Sequence, residues 1–98
     1  MSTAFNPGLI ATTGSVRTLM EKDDHFYHFV MVSLSRHISC DWGDICAEDK
    51  ELNDSALVPG SEGRLFSAYE NADHPDWRIW VITEWDRSAT TVLFPDEY

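Results

Sequence analysis

The chain has 98 residues, with 17 Asp and Glu against 7 Lys and Arg, which gives a formal net charge of −10. Counterion release favours cationic proteins on nucleic acids, so this charge argues against direct binding to DNA or RNA. A hydrophobic fraction of 43%, with four Trp, five Phe and three Tyr, can fill a core and argues against a disordered acidic tail. We therefore expect one acidic domain over residues 1–98.

The N-terminal segment carries few signals of regular structure. Residues 1–8 are predicted to form a flexible lead, and residues 9–11 are predicted to form a short edge strand before a turn at Gly14. The segment has neither the basic start nor the apolar centre of an export signal, and no apolar run reaches the ~20 residues that span a bilayer. These features predict a cytoplasmic protein without membrane contact.

The two cysteines, Cys40 and Cys46, are expected to be free thiols in a cytoplasmic protein. Together with His37 they offer three ligands for zinc, but the spacing is unusual and a fourth ligand is missing. Small buried thiols are the favoured interpretation. We predict no metal site, no other cofactor and no catalytic residues.

The first long element is predicted to be one amphipathic helix that starts near Ser15 or Thr18 and ends at about Ser39. This stretch contains neither Pro nor Gly, and four apolar residues repeat at four-residue spacing: Phe26, Val30, Leu34 and Ile38. The middle of the helix is apolar on more than one face. We therefore expect it to be covered by the sheet on one side and by a neighbouring helix or subunit on the other.

A second helix is predicted from about Ile45 to Leu57. Gly43 can take the positive φ of the preceding turn, and Asp44 is placed to cap the helix by accepting from its first N–H groups. In this register the inward-facing residues are Ile45, Leu52 and Ala56.

The C-terminal third is predicted to be β. Three stretches are rich in β-branched and aromatic residues and are separated by short turns: Arg64–Tyr69, Trp77–Glu84 and Ala89–Phe94. Such short links favour an antiparallel meander. The strands are apolar on both faces, so the second face is expected to be covered or to form an interface. The predicted fold is an α+β single domain with two helices packed on a three- to four-stranded, mainly antiparallel sheet.

The most distinctive feature is a concentration of six carboxylates between Asp41 and Asp54, against one Lys. Carboxylates three and four apart on a helix lie about 5–6 Å from one another, close to the spacing of successive phosphates on a nucleic-acid strand. An acidic face of this kind can occupy a basic nucleic-acid-binding groove; the alternative is a solubilising face. The predicted partner-binding set comprises Asp41, Asp44, Glu48, Asp49, Glu51 and Asp54, with Trp42 as an aromatic anchor.

Two other groups of residues are candidates for a site. Glu21, His25 and His28 share a helical face compatible with a metal site or a pH-sensitive patch, although a solvated face is favoured. Five further residues have the types found in a small metal-independent ribonuclease of the toxin kind: His37, Arg64, Glu84, Arg87 and Tyr98. The negative charge of the protein argues against an enzyme that must attract RNA.

Several segments from Arg36 onwards resemble a group of small uncharacterised proteins found on plasmids and other bacterial mobile elements. The matching segments are Asp41–Asp44, Leu52–Asp54, Ile79–Glu84, Asp86–Ser88 and Pro95–Tyr98, with Asp96 where the group usually has Glu. Such proteins are sometimes labelled as the methylation subunit of a type I restriction endonuclease. A chain of 98 residues without a glycine fingerprint cannot hold the Rossmann domain that such a subunit needs. The resemblance implies a mobile-element setting.

Charge and resemblance together predict an acidic, mobile-element-encoded inhibitor of the anti-CRISPR or anti-restriction kind. It would mimic nucleic acid by binding a basic surface of a host defence complex. The alternatives are the small ribonuclease and a structural or regulatory homodimer.

Overall fold

The computed structural model describes residues 5–61 and 63–98. In chain order the helices and strands are β1 (Leu9–Thr12), α1 (Gly14–Lys22), α2 (Asp24–Ile38), α3 (Ala47–Ala56), β2 (Leu65–Glu70), β3 (Arg78–Thr83) and β4 (Ala89–Leu93). A short 3₁₀ turn, Pro95–Glu97, follows β4.

The strands form one mixed sheet in the order β1-β4-β3-β2. The β2–β3 and β3–β4 pairs are antiparallel, as the short turns between these strands predict, with Val81 opposite both Ser67 and Val92. Strand β1 pairs in parallel with β4. The predicted meander, the N-terminal edge strand and the α+β class are therefore confirmed.

The prediction of one long helix between Ser15 and Ser39 is wrong, because the chain forms two helices that meet at Asp23. The backbone of Asp23 is extended, with φ −136° and ψ 109°. Its side chain accepts hydrogen bonds from the N–H groups of His25 and Phe26 and so caps the start of α2. The aspartate ends α1 and begins α2 without help from Pro or Gly.

Helices α1 and α2 pack on one face of the sheet. The core there consists of Val16, Phe26, Val30 and Leu34 from the helices and Tyr69, Ile79, Val81 and Val92 from the strands. On the opposite face of β3, Trp80 contacts the rings of Phe66 and Tyr98 edge to face. Ile82, which shares that face, is 6% exposed. The second face of the central strand is therefore shielded by aromatic side chains and the C-terminus.

Helix α3 lies beside β2, where Trp42, Ala56 and Leu65 form a second, smaller core cluster. The predicted register of α3 is partly wrong. Leu52 is 67% exposed, while the next residue, Asn53, is 3% exposed and takes the inward place. A polar side chain can occupy this position because it bonds to the backbone of β2, as described below.

The predicted flexible lead falls partly outside the described residues, which begin at Phe5. From Phe5 onwards the lead is packed: the Phe5 ring stacks on Trp42, and the carbonyl of Pro7 accepts from the hydroxyl of Thr90 at 2.7 Å. This corrects the prediction for residues 5–8. None of the helices within residues 5–61 and 63–98 has the length and apolarity that crossing a membrane requires.

Candidate partner-binding surface

Asp41 is the first of the predicted contact residues, and it is largely neutralised within the molecule. Its carboxylate oxygens accept from Nε and Nη2 of Arg36 at 2.7 and 3.2 Å. The hydrogen bond from Arg36 holds the pKa of Asp41 below its ordinary value, and the N–H of Gly43 adds a further hydrogen bond. Asp41 therefore fixes the exit from α2 and offers little free charge to a partner.

Trp42 is a core residue, which corrects its predicted role as an anchor for a partner. Its side chain is 4% exposed and contacts the rings of Phe5 and His37. The indole Nε1–H donates to Oδ1 of Asp54 at 3.1 Å. Asp54, another predicted contact residue, is thus tied to the loop before α3, although the residue as a whole is exposed.

Asp44 does not cap α3. The helix begins at Ala47 after Cys46, which makes no side-chain capping bond. Instead, the backbone N–H of Asp44 donates to the carbonyl of Ala68 at 2.7 Å, and its Oδ2 accepts from the N–H of Glu70 at 3.0 Å. Asp44 therefore pairs with the outer edge of β2.

Gly43 makes this approach possible. Its φ is +76°, and a Cβ built on it would lie 2.2 Å from the carbonyl oxygen of Ala68. Only glycine fits such a conformation so close to another backbone. The predicted positive φ at this turn is confirmed, but its purpose is to lay the loop against β2.

The second half of the β2 edge is held by Asn53, a residue that the sequence analysis did not single out. Its amide nitrogen donates to the carbonyl of Phe66 at 2.6 Å, and its amide oxygen accepts from the N–H of the same residue at 3.0 Å. The apolar pattern of α3 predicts Leu52 rather than Asn53 on the inward face, so the sequence carries no signal for this role. The loop 42–44 and Asn53 together provide hydrogen-bond partners for backbone groups on the outer edge of β2. We call residues 42–44 and Asn53 the β2 cover.

Among the predicted contact residues, the carboxylates without a recorded internal partner are Glu48, Asp49 and Glu51, all on α3. Glu48 and Glu51 are exposed and three residues apart, and Asp49 between them is half-buried. The ion pairs found among residues 5–61 and 63–98 are Arg17–Glu21, Arg36–Asp41 and Glu70–Arg78, none of which involves α3. The outward face of α3 therefore keeps its negative charge.

The residues of the ribonuclease alternative do not form an accessible acid–base site. His37 is fully buried, with Nδ1 2.5 Å from the hydroxyl of Ser67 and Nε2 2.9 Å from that of Thr83. Burial lowers the pKa of His37 to about 4. A neutral imidazole sealed in the core cannot exchange protons with a bound RNA strand, so it has a structural role.

The cationic members of that set are also engaged structurally. The Arg87 guanidinium donates to the carbonyls of Ala56 at 2.8 Å, Gly63 at 2.7 Å and Glu84 at 3.1 Å, and so joins the end of α3 to the β3–β4 turn. Arg64 bonds to the hydroxyl of Tyr98 and lies over its ring. The geometry therefore does not support the ribonuclease alternative.

The predicted histidine face lies at an open cleft of about 450 Å³ between α2 and the β2–β3 loop. His25 and His28 line this cleft opposite His74, whose ring stacks on Trp77 at 3.9 Å. Glu21 lies on α1, before the break at Asp23, and pairs with Arg17, so the prediction that it shares one helical face with His25 and His28 is wrong.

In the described part of the chain, no cluster of His, Cys, Asp or Glu has the geometry to hold a metal ion. Both cysteines are free, as predicted. Cys40 is half-buried, which raises the pKa of its thiol, but Cys46 is exposed, so the prediction of a buried thiol is wrong for Cys46.

The chain matches no protein-family model, no curated protein and no solved structure.

Proposed function

We propose that this protein is an acidic inhibitor that binds a basic nucleic-acid-binding surface of a host defence complex of the CRISPR or restriction kind. The observation that carries the proposal is the outward face of α3, where Glu48 and Glu51 are exposed and are not part of any recorded ion pair of the described residues. Side chains three residues apart on a helix have Cβ atoms about 5–6 Å apart, so the two carboxylates present closely spaced negative charges to such a surface.

The rest of the molecule supports the same interpretation. A formal net charge of −10 speeds encounter with a strongly basic surface by electrostatic steering. The resemblance to proteins of plasmids and other mobile elements supplies a setting in which inhibiting a host defence benefits the element. The site of action is the cytoplasm, where such defence complexes meet incoming DNA.

We expect contact from only part of the predicted acidic set. Glu48 and Glu51 form its centre, with the half-buried Asp49 beside them on α3, whereas Asp54 already accepts from the buried indole of Trp42. Asp41 and Asp44 bond to the protein's own backbone or to Arg36, so their replacement would alter the fold as well as the charge. Variants at these two positions are therefore poor tests of binding.

The test is a plasmid-interference assay in cells that carry an active CRISPR or restriction system. The protein is expected to restore transformation, and the double variant Glu48→Lys, Glu51→Lys is expected to lose this effect. The matched control is Asp73→Lys, Asp76→Lys, which makes the same change in charge at two exposed residues of the β2–β3 loop. Circular dichroism of the purified variants verifies that each one folds.

The control separates a specific surface from general acidity. Inhibition that survives in the loop variant but not in the α3 variant supports the α3 surface. Equal loss in both variants would mean that net charge alone is responsible, and unchanged inhibition in the α3 variant would contradict the contact assignment. Absence of inhibition by the unmodified protein across a broad panel of systems would overturn the proposal as a whole.

A further inference from the structure

The two edge strands of the sheet, β1 and β2, differ in whether their outer backbone groups have partners. The β2 cover occupies the outer edge of β2, whereas β1 forms the opposite edge of the sheet. The N–H groups of Leu9 and Thr13 point inward and donate to Ser88 and Val92 at 3.0 Å. Backbone groups alternate in direction along a strand, so those of Ile10 and Thr12 face the open side.

The side chains around this open edge are apolar on both faces of the sheet. Leu9 is 71% exposed on one face, and Ile10 is 44% exposed on the other. On the helix side, Thr12 borders an open groove of about 470 Å³ whose far wall contains Met20 and the half-exposed Tyr27. The charged residues of that groove, Arg17 and Glu21, neutralise each other at 3.2 Å. An open edge with exposed apolar side chains favours pairing with another strand.

The distribution of charge indicates that the partner at the β1 edge is a second copy of this chain. Residues 1–16 contain no Asp, Glu, Lys or Arg, the longest such stretch in a chain that otherwise carries a large negative excess. Two copies of a protein with a formal net charge of −10 repel each other, so they can meet only where carboxylates are sparse. The β1 edge is such a place, and its uncharged surface fits another uncharged strand.

The sequence of β1 is suited to pairing with itself. In an antiparallel arrangement centred on Ala11, the outward groups of Ile10 exchange two hydrogen bonds with those of Thr12 in the second copy, and the symmetric pair gives four in all. The two Ala11 residues then face each other in a non-hydrogen-bonded pair, where the strands approach most closely and a small side chain fits. Each Ile10 is then expected to lie beside Met20 and Tyr27 of the groove in the other copy.

We propose that the protein forms a symmetric homodimer in which the β1 strands of two copies pair antiparallel and join the two sheets into one of eight strands. This interface is independent of the α3 surface, which lies beside β2 at the far edge of each sheet. The dimer therefore presents two α3 surfaces, one at each end.

The first experiment measures the mass of the full chain in solution by light scattering or sedimentation over a range of concentrations. The expected mass is twice the 11.2 kDa of one chain. Hydrogen exchange gives a local readout, because the amides of Ile10 and Thr12 are expected to be protected in the dimer and to lose this protection on dilution. A monomeric mass at every concentration would overturn the proposal.

Two variants test the interface. Ile10→Pro removes an outward N–H without touching the bonds to β4, and proline is tolerated on edge strands. Ile10→Lys places a charge at the centre of the pairing, and Leu52→Lys is its matched control on an exposed part of α3. Both Ile10 variants are expected to be folded monomers, and the control is expected to stay dimeric. A dimer that persists in both Ile10 variants would overturn the β1 assignment.

Discussion

The buried histidine is the clearest feature at the scale of single residues. His37 joins the hydroxyls of Ser67 and Thr83, and Thr83 in turn contacts the hydroxyl of Thr90 at 2.7 Å. The chain of polar groups ends at the carbonyl of Pro7, at 2.7 Å from Thr90. It ties α2, three strands and the N-terminal lead together inside the core, where each polar group needs a partner.

This histidine predicts a loss of stability in mild acid. Burial lowers the pKa of His37 to about 4, whereas the unfolded chain binds a proton at about 6.5. Between these values the unfolded state holds more protons, so the free energy of unfolding falls as the pH drops from about 6.5 towards 4. The full loss corresponds to about 3 kcal/mol. Urea titrations at several pH values across this window measure it.

The matched variant is His37→Gln, which keeps a hydrogen-bonding side chain but cannot titrate. We expect it to be less stable than the unmodified protein at pH 7 by about 1–3 kcal/mol, because one of the two hydrogen bonds is lost. Its stability should depend less on pH between 6.5 and 4. An unchanged pH dependence in this variant would show that other groups are responsible.

The β2 cover is the most informative feature at the scale of elements. An edge strand exposes unpaired N–H and C=O groups, and folded proteins blunt such edges with loops, helices or charges. Here the chain uses the loop before α3 and one amide side chain of the helix itself. The helix is held beside the sheet by these polar bonds and by the small cluster of Trp42, Ala56 and Leu65.

We predict that Asn53→Ala lowers the free energy of unfolding by about 2–3 kcal/mol. The substitution leaves both backbone groups of Phe66 without their partner at a half-buried site. Hydrogen exchange at the Phe66 amide should also become faster. The control is Ser55→Ala on the exposed face of the same helix, for which we expect a change below about 0.5 kcal/mol. Similar values for the two variants would contradict the role of Asn53.

The strands were predictable because their signal is local. Strands β2, β3 and β4 lie within one or two residues of the predicted bounds, since β-branched and aromatic runs between turn residues determine them. The break at Asp23 was missed because the apolar spacing continues across it. Only the capping ability of an aspartate indicates that two helices meet there.

The candidate site was less predictable because charge does not reveal hydrogen bonds. Asp41, Asp44 and Asp54 belong to the same acidic run as Glu48 and Glu51, yet each of the three bonds to a group elsewhere in the chain. Asn53 and His37 are polar, so a prediction from the pattern of apolar residues places them on the surface. Their partners lie 13 and more residues away, so the sequence does not reveal them.

At the scale of the whole molecule, the excess of carboxylates should cost stability. Of the 17 acidic residues, three are in the ion pairs recorded for the described part of the chain. Exposed ion pairs contribute little, about 0–1 kcal/mol each. Repulsion among the remaining carboxylates is expected to outweigh them.

This balance predicts that added salt stabilises the protein. Raising NaCl from about 10 mM to about 150 mM shortens the screening length from about 30 Å to about 8 Å and weakens the long-range repulsion. We expect the melting temperature at pH 7 to rise by about 3 °C or more. The Glu48→Lys, Glu51→Lys variant should gain less because it carries less net charge. A fall in melting temperature with salt would show that the ion pairs dominate.

The closed β2 edge also limits how large an assembly of this protein can grow. A subunit with two open edges can add a neighbour on each side and extend into a fibre without end. Because the β2 cover leaves β1 as the edge open to pairing, joining two β1 strands consumes that edge in both copies. The assembly then stops at two subunits. A variant that loosens the β2 cover, such as Asn53→Ala, would expose the β2 edge of each subunit and allow further subunits to add there.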